Sequence, residues 1–334
     1  MTEQLQLILA GDFGRGLQTY DIEFDGRRRL DPPLLSRFGR NRVNEPVALR
    51  SAGPDPASVA LLRREVDALT RLRGRLTERR YPTQLTRLIG HNPDHEPPYL
   101  LRTNRGEPLS RLDLPLPAGV LGPVVDDLVR ILRYLAVSGL VHRRIGLSTL
   151  NWDGEGLQLV DFEHAVLSGL PAPACPCCPD RPPAQGAARR QDDVLDAGLV
   201  LYRLFTNEDV TDPAEARRRL DLQDVVVRDL LNGVFDPDRA RRPDPLALLR
   251  RRKLPDPLSG TGRPVATLAD RETRGVEAFE RLRAEQRAFA AWYQHNAHVL
   301  LKEPVSPSRV TAIVWTSVVA LVVVGVIVWG ALTS

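Results

Sequence analysis

A chain of 334 residues has room for a two-lobed domain of about 250 residues and an appendage, and 43% hydrophobic with 26% charged content is ordinary for a globular protein. The net charge of +4 is too small to argue for a nucleic-acid partner, and that class is set aside. All but two of the 46 basic residues are arginine and no lysine precedes Lys253, a bias that points to a GC-rich bacterial coding sequence.

Residues 1–34 read as an N-terminal extension of uncertain structure. The first 30 residues lack a basic start followed by a long apolar core, so no secretory signal is expected. Two stretches have some of the features of a phosphate-cradling loop, where backbone amides approach an anion because side chains are absent. Gly11-Asp-Phe-Gly-Arg-Gly16 has the glycines but lies 34 residues before Arg50; Arg37-Phe-Gly-Arg-Asn-Arg-Val43 is closer but contains a single glycine, Gly39. Ordinary turns account for both more simply.

Val47-Ala-Leu-Arg50 is a short apolar strand ending in a cation. Fifteen residues on, Leu62, Val66, Leu69 and Leu72 recur at helical spacing and place Glu65 on an amphipathic helix. Glu65 is there either as a solvated helix residue or as the partner of Arg50. Pro82–Leu112 supplies further strands and a hinge, the latter within Tyr99-Leu-Leu-Arg-Thr-Asn-Arg-Gly-Glu-Pro-Leu109; Pro93 between His91 and His95 spoils a helical metal-ligand face. Val124, Val125, Leu128, Ile131, Leu132 and Leu135 mark a buried helix that Gly139 stops. There follow Gly139-Leu-Val-His-Arg-Arg-Ile-Gly-Leu-Ser-Thr149 and the strand Leu157-Gln-Leu-Val160 leading into Asp161-Phe-Glu163.

The segment Ser168–Ala184 is proline-rich, and from Gly169 through Leu201 there is no hydroxyl side chain to accept a phosphate. Its cluster Cys175-Pro-Cys-Cys178 favours a reducing compartment over a secreted disulfide scaffold. It has no evident fourth zinc ligand, so idle loop thiols are preferred to a zinc or redox site. Asp192–Phe205 reads as a buried helix. Residues 254–309 form a connector: Pro255, Pro257, Gly260, Gly262 and Pro264 open it, Thr267–Lys302 reads as a long polar helix packed on the domain rather than a dimerising coil, and Pro304 and Pro307 end it. Residues 310–332 carry no charge over 23 positions. As a helix rising about 1.5 Å per residue they would reach roughly 34 Å, enough for one membrane span of about 30 Å. Trp315 and Trp329 stand near its ends, while Lys302 and Arg309 precede it and no basic residue follows, which puts the folded part on the cytoplasmic side of the cell membrane.

Taken in order, these marks resemble the eukaryotic-type protein kinase family over roughly residues 35–252. Val47-Ala-Leu-Arg50 is similar to V-A-I-K, Glu65 matches the helix glutamate that pairs with that lysine, and residues 142–149 with Asp161-Phe-Glu163 are similar to H-R-D-L-x-x-x-N and D-F-G. Asp192–Phe205 resembles the family's central buried helix, in which Asp193 braces the loop backbone. Leu230–Pro243 is similar to its closing element, in which Arg242 would pair with a glutamate that Ala184 has replaced. The resemblance implies an α+β fold with a β-rich N-lobe over residues 35–105 and a helical C-lobe over 106–253, with His142, Phe162, Asp193 and Arg242 as scaffold marks.

The chemistry inside that frame departs from the family. Arg50 stands for the lysine, Arg144 for the proton-accepting aspartate and Thr149 for the asparagine. A guanidinium is wide, planar and never deprotonated, and it accepts no proton. With the uncharged run 310–332, the resemblance therefore implies a membrane-anchored pseudokinase that binds a cytoplasmic protein partner. Arg50, Glu65 and Asp161 remain as nucleotide-binding candidates, with Asp161 the candidate ligand for magnesium. The alternatives are an active Ser/Thr kinase with an atypical site and a non-catalytic ATP-binding sensor.

Overall fold

Alternation of apolar and polar residues builds the small lobe from its first residues onward. The computed structural model describes residues 2–10, 16–31, 34–76, 81–171 and 186–259, all within one compact unit, Met1–Ala269. Strands β1 (Thr2–Leu9), β2 (Gln18–Asp31), β3 (Leu34–Asn41), β4 (Pro46–Ala52), β5 (Leu88–Asn92) and β6 (Tyr99–Thr103) pair in the order β1-β2-β3-β4-β6-β5. The sheet closes into a barrel because β1 also pairs with β5, Ile8 opposite His91 and Leu9 opposite Gly90. Leu5, Leu7, Ile22, Phe24, Val47, Leu49, Tyr99 and Leu101 form one apolar cluster. The period of two turns the intervening Ala48, Arg50 and Ala52 of β4, and Leu100 and Arg102 of β6, to the opposite face.

Thr2–Leu9 and Gln18–Asp31 are thus no extension. They form two strands of the same sheet, held by the burial of Leu5, Leu7, Ile22 and Phe24, and the small lobe begins well before residue 35. Of the two glycine-loop candidates, only the one at Gly39 falls wholly on described residues, and there it is corrected. Residues 11–15 lie outside the described residues, and Gly39 sits within β3, opposite Phe24 of β2. A Cβ on Gly39 would meet the backbone carbonyl of Glu23 on β2, so the glycine serves strand packing.

Helix α1 (Pro56–Leu76) lies against the other face of the sheet. Asp55 begins it by accepting the Ser58 N–H at 2.9 Å. Its buried positions Leu61, Leu62, Glu65, Ala68, Leu69 and Leu72 form one stripe, and Glu65 lies in the middle of it, fully buried.

The large lobe is built on α2 (Ala118–Val137) and α3 (Arg190–Thr206), with α4 (Pro213–Leu220), α5 (Val225–Leu231) and α6 (Pro245–Arg251) beside them. Short strands carry the connecting loops: β7 (Glu107–Pro108), β9 (Leu150–Trp152) and β10 (Leu157–Leu159) form one sheet, and β8 (Leu140–Val141) pairs with β11 (Val166–Leu167). Gly139, at φ 65°, turns the chain out of α2 into β8. Residues 254–259 belong to this lobe rather than to a connector: Leu254 and Leu258 pack on its core, and Asp256 accepts from the Arg133 guanidinium at 2.7 Å. The proposed connector helix, the 310–332 span and the cysteine cluster lie outside the described residues. No helix among the described residues is long and apolar enough to cross a membrane.

Gly39→Ala should destabilise the domain by about 1–3 kcal/mol, the ordinary cost of overpacking, measured by urea unfolding. An unchanged midpoint would show that β2 and β3 are not so closely apposed.

Candidate functional site

Arg50 and Arg102 are neighbours by strand register. Arg50 is opposite Leu100 and Ala48 opposite Arg102, so the two guanidiniums stand diagonally on one face of β4 and β6, beneath α1. Both are almost completely buried, at 4% and 2% exposure. Three buried carboxylates converge on them. Glu65 takes an ion pair from Arg50 and lies 3.3 Å from Nε of Arg102. Glu163 accepts from Arg50 at 2.9 Å. Asp161 Oδ1 accepts from Arg102 at 2.7 Å with Arg50 at 3.4 Å, and its Oδ2 accepts from Arg29 of β2 at 3.1 Å. Arg144 leans on the outer edge of the cluster, 3.4 Å from Glu163.

The charges decide the protonation states. Burial would raise Glu163, but the Arg50 guanidinium holds it well below the usual carboxylate range. Glu65 is pushed up to about 7, burial outweighing the attraction of Arg50 and Arg102. Arg50 is raised well above its ordinary value, because Glu163, Glu65 and Asp161 together overcome its desolvation. In Arg102 burial prevails and the shift is downward.

The loop before this cluster is braced from α3. Asp193 accepts the backbone N–H of His142 at 2.7 Å and of Arg143 at 2.8 Å, and burial pushes its carboxyl up to about 8. Arg143 and Asp161 both take left-handed backbone, at φ 67° and 63°. Burial lowers His142 to about 4, so its ring is neutral at physiological pH. Nε2–H then donates to the Val160 carbonyl at 3.0 Å, while Nδ1 accepts the Arg144 N–H at 3.3 Å. The ring meets Phe162 edge to face at 4.7 Å. Thr149 is buried in its own loop, its hydroxyl donating to the Arg144 carbonyl at 2.9 Å and accepting the Gly146 N–H at 3.0 Å, so it points at no cleft ligand. Arg242 binds the Asp236 carbonyl at 2.9 Å and approaches Asp192 at 4.0 Å.

Of the sequence candidates, Arg50, Glu65, Asp161 and Arg144 meet in one cluster, while Thr149 is turned away. Sequence reasoning missed Arg102 and Arg29. The available signal for Arg102 was an arginine inside the apolar run Tyr99–Thr103, every residue of which is buried.

Oxygens of Glu65, Asp161 and Glu163 lie within 4.8 Å of one another, a spacing that suits a divalent cation by distance alone. The charge does not suit it. Both oxygens of Asp161 are covered by guanidiniums, and a cation among them would sit against Arg50, Arg102 and Arg29. As arranged, these residues fit magnesium poorly. The adjacent cleft measures about 170 Å³, below the roughly 300–1,000 Å³ of typical cofactor pockets.

No protein-family model matches the sequence, and no curated protein matches it. Solved structures do match. One is the crystal structure of a Toxoplasma gondii specific rhoptry antigen kinase domain, with TM-score 0.57 and 16% identity over 75% of this chain and 84% of that one. The chain has a protein-kinase-like fold of mixed α and β structure; at such identity the likeness extends to the fold alone.

Arg102→Leu should destabilise the domain by about 3–5 kcal/mol, because Asp161 and Glu65 would lose a buried partner, and urea unfolding measures it. A second expectation concerns His164, which burial and the nearby Arg144 lower to about 4 against the favourable pull of Glu163. The unfolded imidazole takes up its proton near 6.5, so stability from this group is present above that pH and lost between about 6.5 and 4. His164→Gln should remove about one proton from the uptake on unfolding in that window. An identical pH profile for wild type and variant would contradict it.

Proposed function

We propose, taking the protein-kinase-like fold as the premise, that this chain is a membrane-anchored pseudokinase. Its cytoplasmic domain binds a protein partner and transfers no phosphate. The observation that carries the reading is the covering of Asp161 by Arg102, Arg50 and Arg29. In kinase chemistry that position serves the metal, and the loop supplies a carboxylate to accept the substrate proton. Here the loop offers Arg144, and the nearest acid, Glu163, is buried and held ionised by Arg50. A carboxylate so stabilised is a weak base.

The architecture that kinases use to set an active state is nevertheless kept: α1 is tied inward through Glu65, and the loop is braced through Asp193. Preserving those ties without the reactive groups is what a recognition surface needs. The uncharged run 310–332 and its upstream basic residues support the anchor and the orientation.

Purified full-length chain incubated with labelled ATP, magnesium or manganese and generic protein substrates should incorporate no label. Transfer that Asp161→Ala abolishes would establish an active kinase instead. Mg-ATP should leave the melting temperature unchanged, whereas a ligand at 100 times its dissociation constant would add about 2.7 kcal/mol of stability. Deleting residues 310–334 should move the protein from the membrane pellet to the soluble fraction; retention in the pellet would remove the anchor.

A further inference from the structure

The cleft beside the buried cluster is lined on one side by three consecutive arginines. The β2–β3 register slips between Phe24 and Arg28, with Gly26 at φ 80°, and this bulge brings Arg27, Arg28 and Arg29 along the cleft wall. Arg102 and Arg111 line it from the other side, and Glu107 is the only carboxylate among the lining residues. Much of this charge is already engaged: Arg27 with Asp25 and Glu107, Arg111 with Glu107 at 2.9 Å, Arg29 and Arg102 with Asp161. Arg28 is exposed and makes no ion pair with a described residue. One further group is unsatisfied: Asn151 lines the cleft at 3% exposure, donates weakly to Asn104 at 3.4 Å, and its Oδ1 is buried without a hydrogen-bond donor.

We infer that this cleft is a site for a small phosphomonoester, bound through arginine without a divalent cation and without a nucleobase. Planar guanidinium forks match phosphate oxygens, and their charge stands in for the cation that Asp161 no longer has room to hold. A purine is disfavoured by the same walls. The single aromatic face, Phe38, has the Arg27 guanidinium 5.7 Å above it, and the volume of about 170 Å³ suits a phosphate with a short polyol. The inference deepens the non-catalytic reading but fails separately from it, because it is tested by binding and not by transfer.

Isothermal titration of the full-length chain in detergent micelles, with EDTA present, would use inorganic phosphate and glycerol phosphate as probes. Both should bind, with affinity falling as salt rises. Arg28→Glu and Arg111→Glu should each weaken binding about tenfold or more, equivalent to about 1.4 kcal/mol. Arg217→Glu, on the exposed face of α4, should not. Absence of binding by either probe at millimolar concentration overturns the proposal. Equal weakening by Arg217→Glu overturns it as non-specific attraction, and tighter binding of Mg-ATP than of glycerol phosphate in a magnesium buffer overturns the ligand class. Phosphoryl transfer in the labelled-ATP assay would instead defeat the non-catalytic reading.

Discussion

Charge compensation beneath α1 constrains this domain more than any other interaction. Two guanidiniums and three carboxylates are removed from water together, and they come from β4, α1, β6 and the segment Asp161–Glu163. Burying any one of them alone would be prohibitive, so each element's position depends on the others arriving. Such a cluster is poor evidence for high stability, since apolar residues of like volume often serve as well. What it supplies is registry: a helix that must present Glu65, and a strand pair that must present two arginines on one face. It also joins the lobes, because Asp161 and Glu163 follow the large-lobe strand β10 while their partners lie in the small lobe.

On the reading proposed above, the same compensation would let a kinase-like scaffold persist without kinase chemistry. The carboxylate that would meet a metal is neutralised by the protein itself. The helix glutamate that would orient a lysine is held by a side chain that cannot lose its proton. Asp193 and His142 then fix the loop backbone independently of anything in the cleft. Shape is maintained by these internal ion pairs.

Much of this frame was legible in the sequence. Arg50 and Glu65 stand fifteen residues apart on a strand and a helix, and the stretch from Gly139 to Ala165 has a spacing that gives loop, strands and Asp161 in order. The small lobe's first two strands were not legible, because β2 carries Arg27, Arg28 and Arg29 amid acidic residues and its apolar positions acquire meaning only once β1 and β3 lie beside it. Arg102 was hidden for the opposite reason. In a strand covered on both faces no alternation marks which residues are buried, and an arginine after two leucines reads as the solvent side. Glu65 shows the limit of periodicity: a stripe drawn through Val66 passes beside the residue that is fully buried. Gly39 carried a real signal, close backbone approach, but the neighbour is a strand and not a phosphate.

Closure of the small lobe by β1 has a consequence for recognition. An open antiparallel sheet leaves two rows of unpaired amides and carbonyls, and a partner segment can join either one as an extra strand. With β1 bonded to β2 over Thr2–Leu7 and to β5 at Ile8 and Leu9, the ring of six closes and leaves no whole strand as a vacant border. A segment associating with this lobe would then find only short stretches of main chain to pair with, and its selectivity would follow mainly from the shape and charge of side chains on the outer wall or along α1.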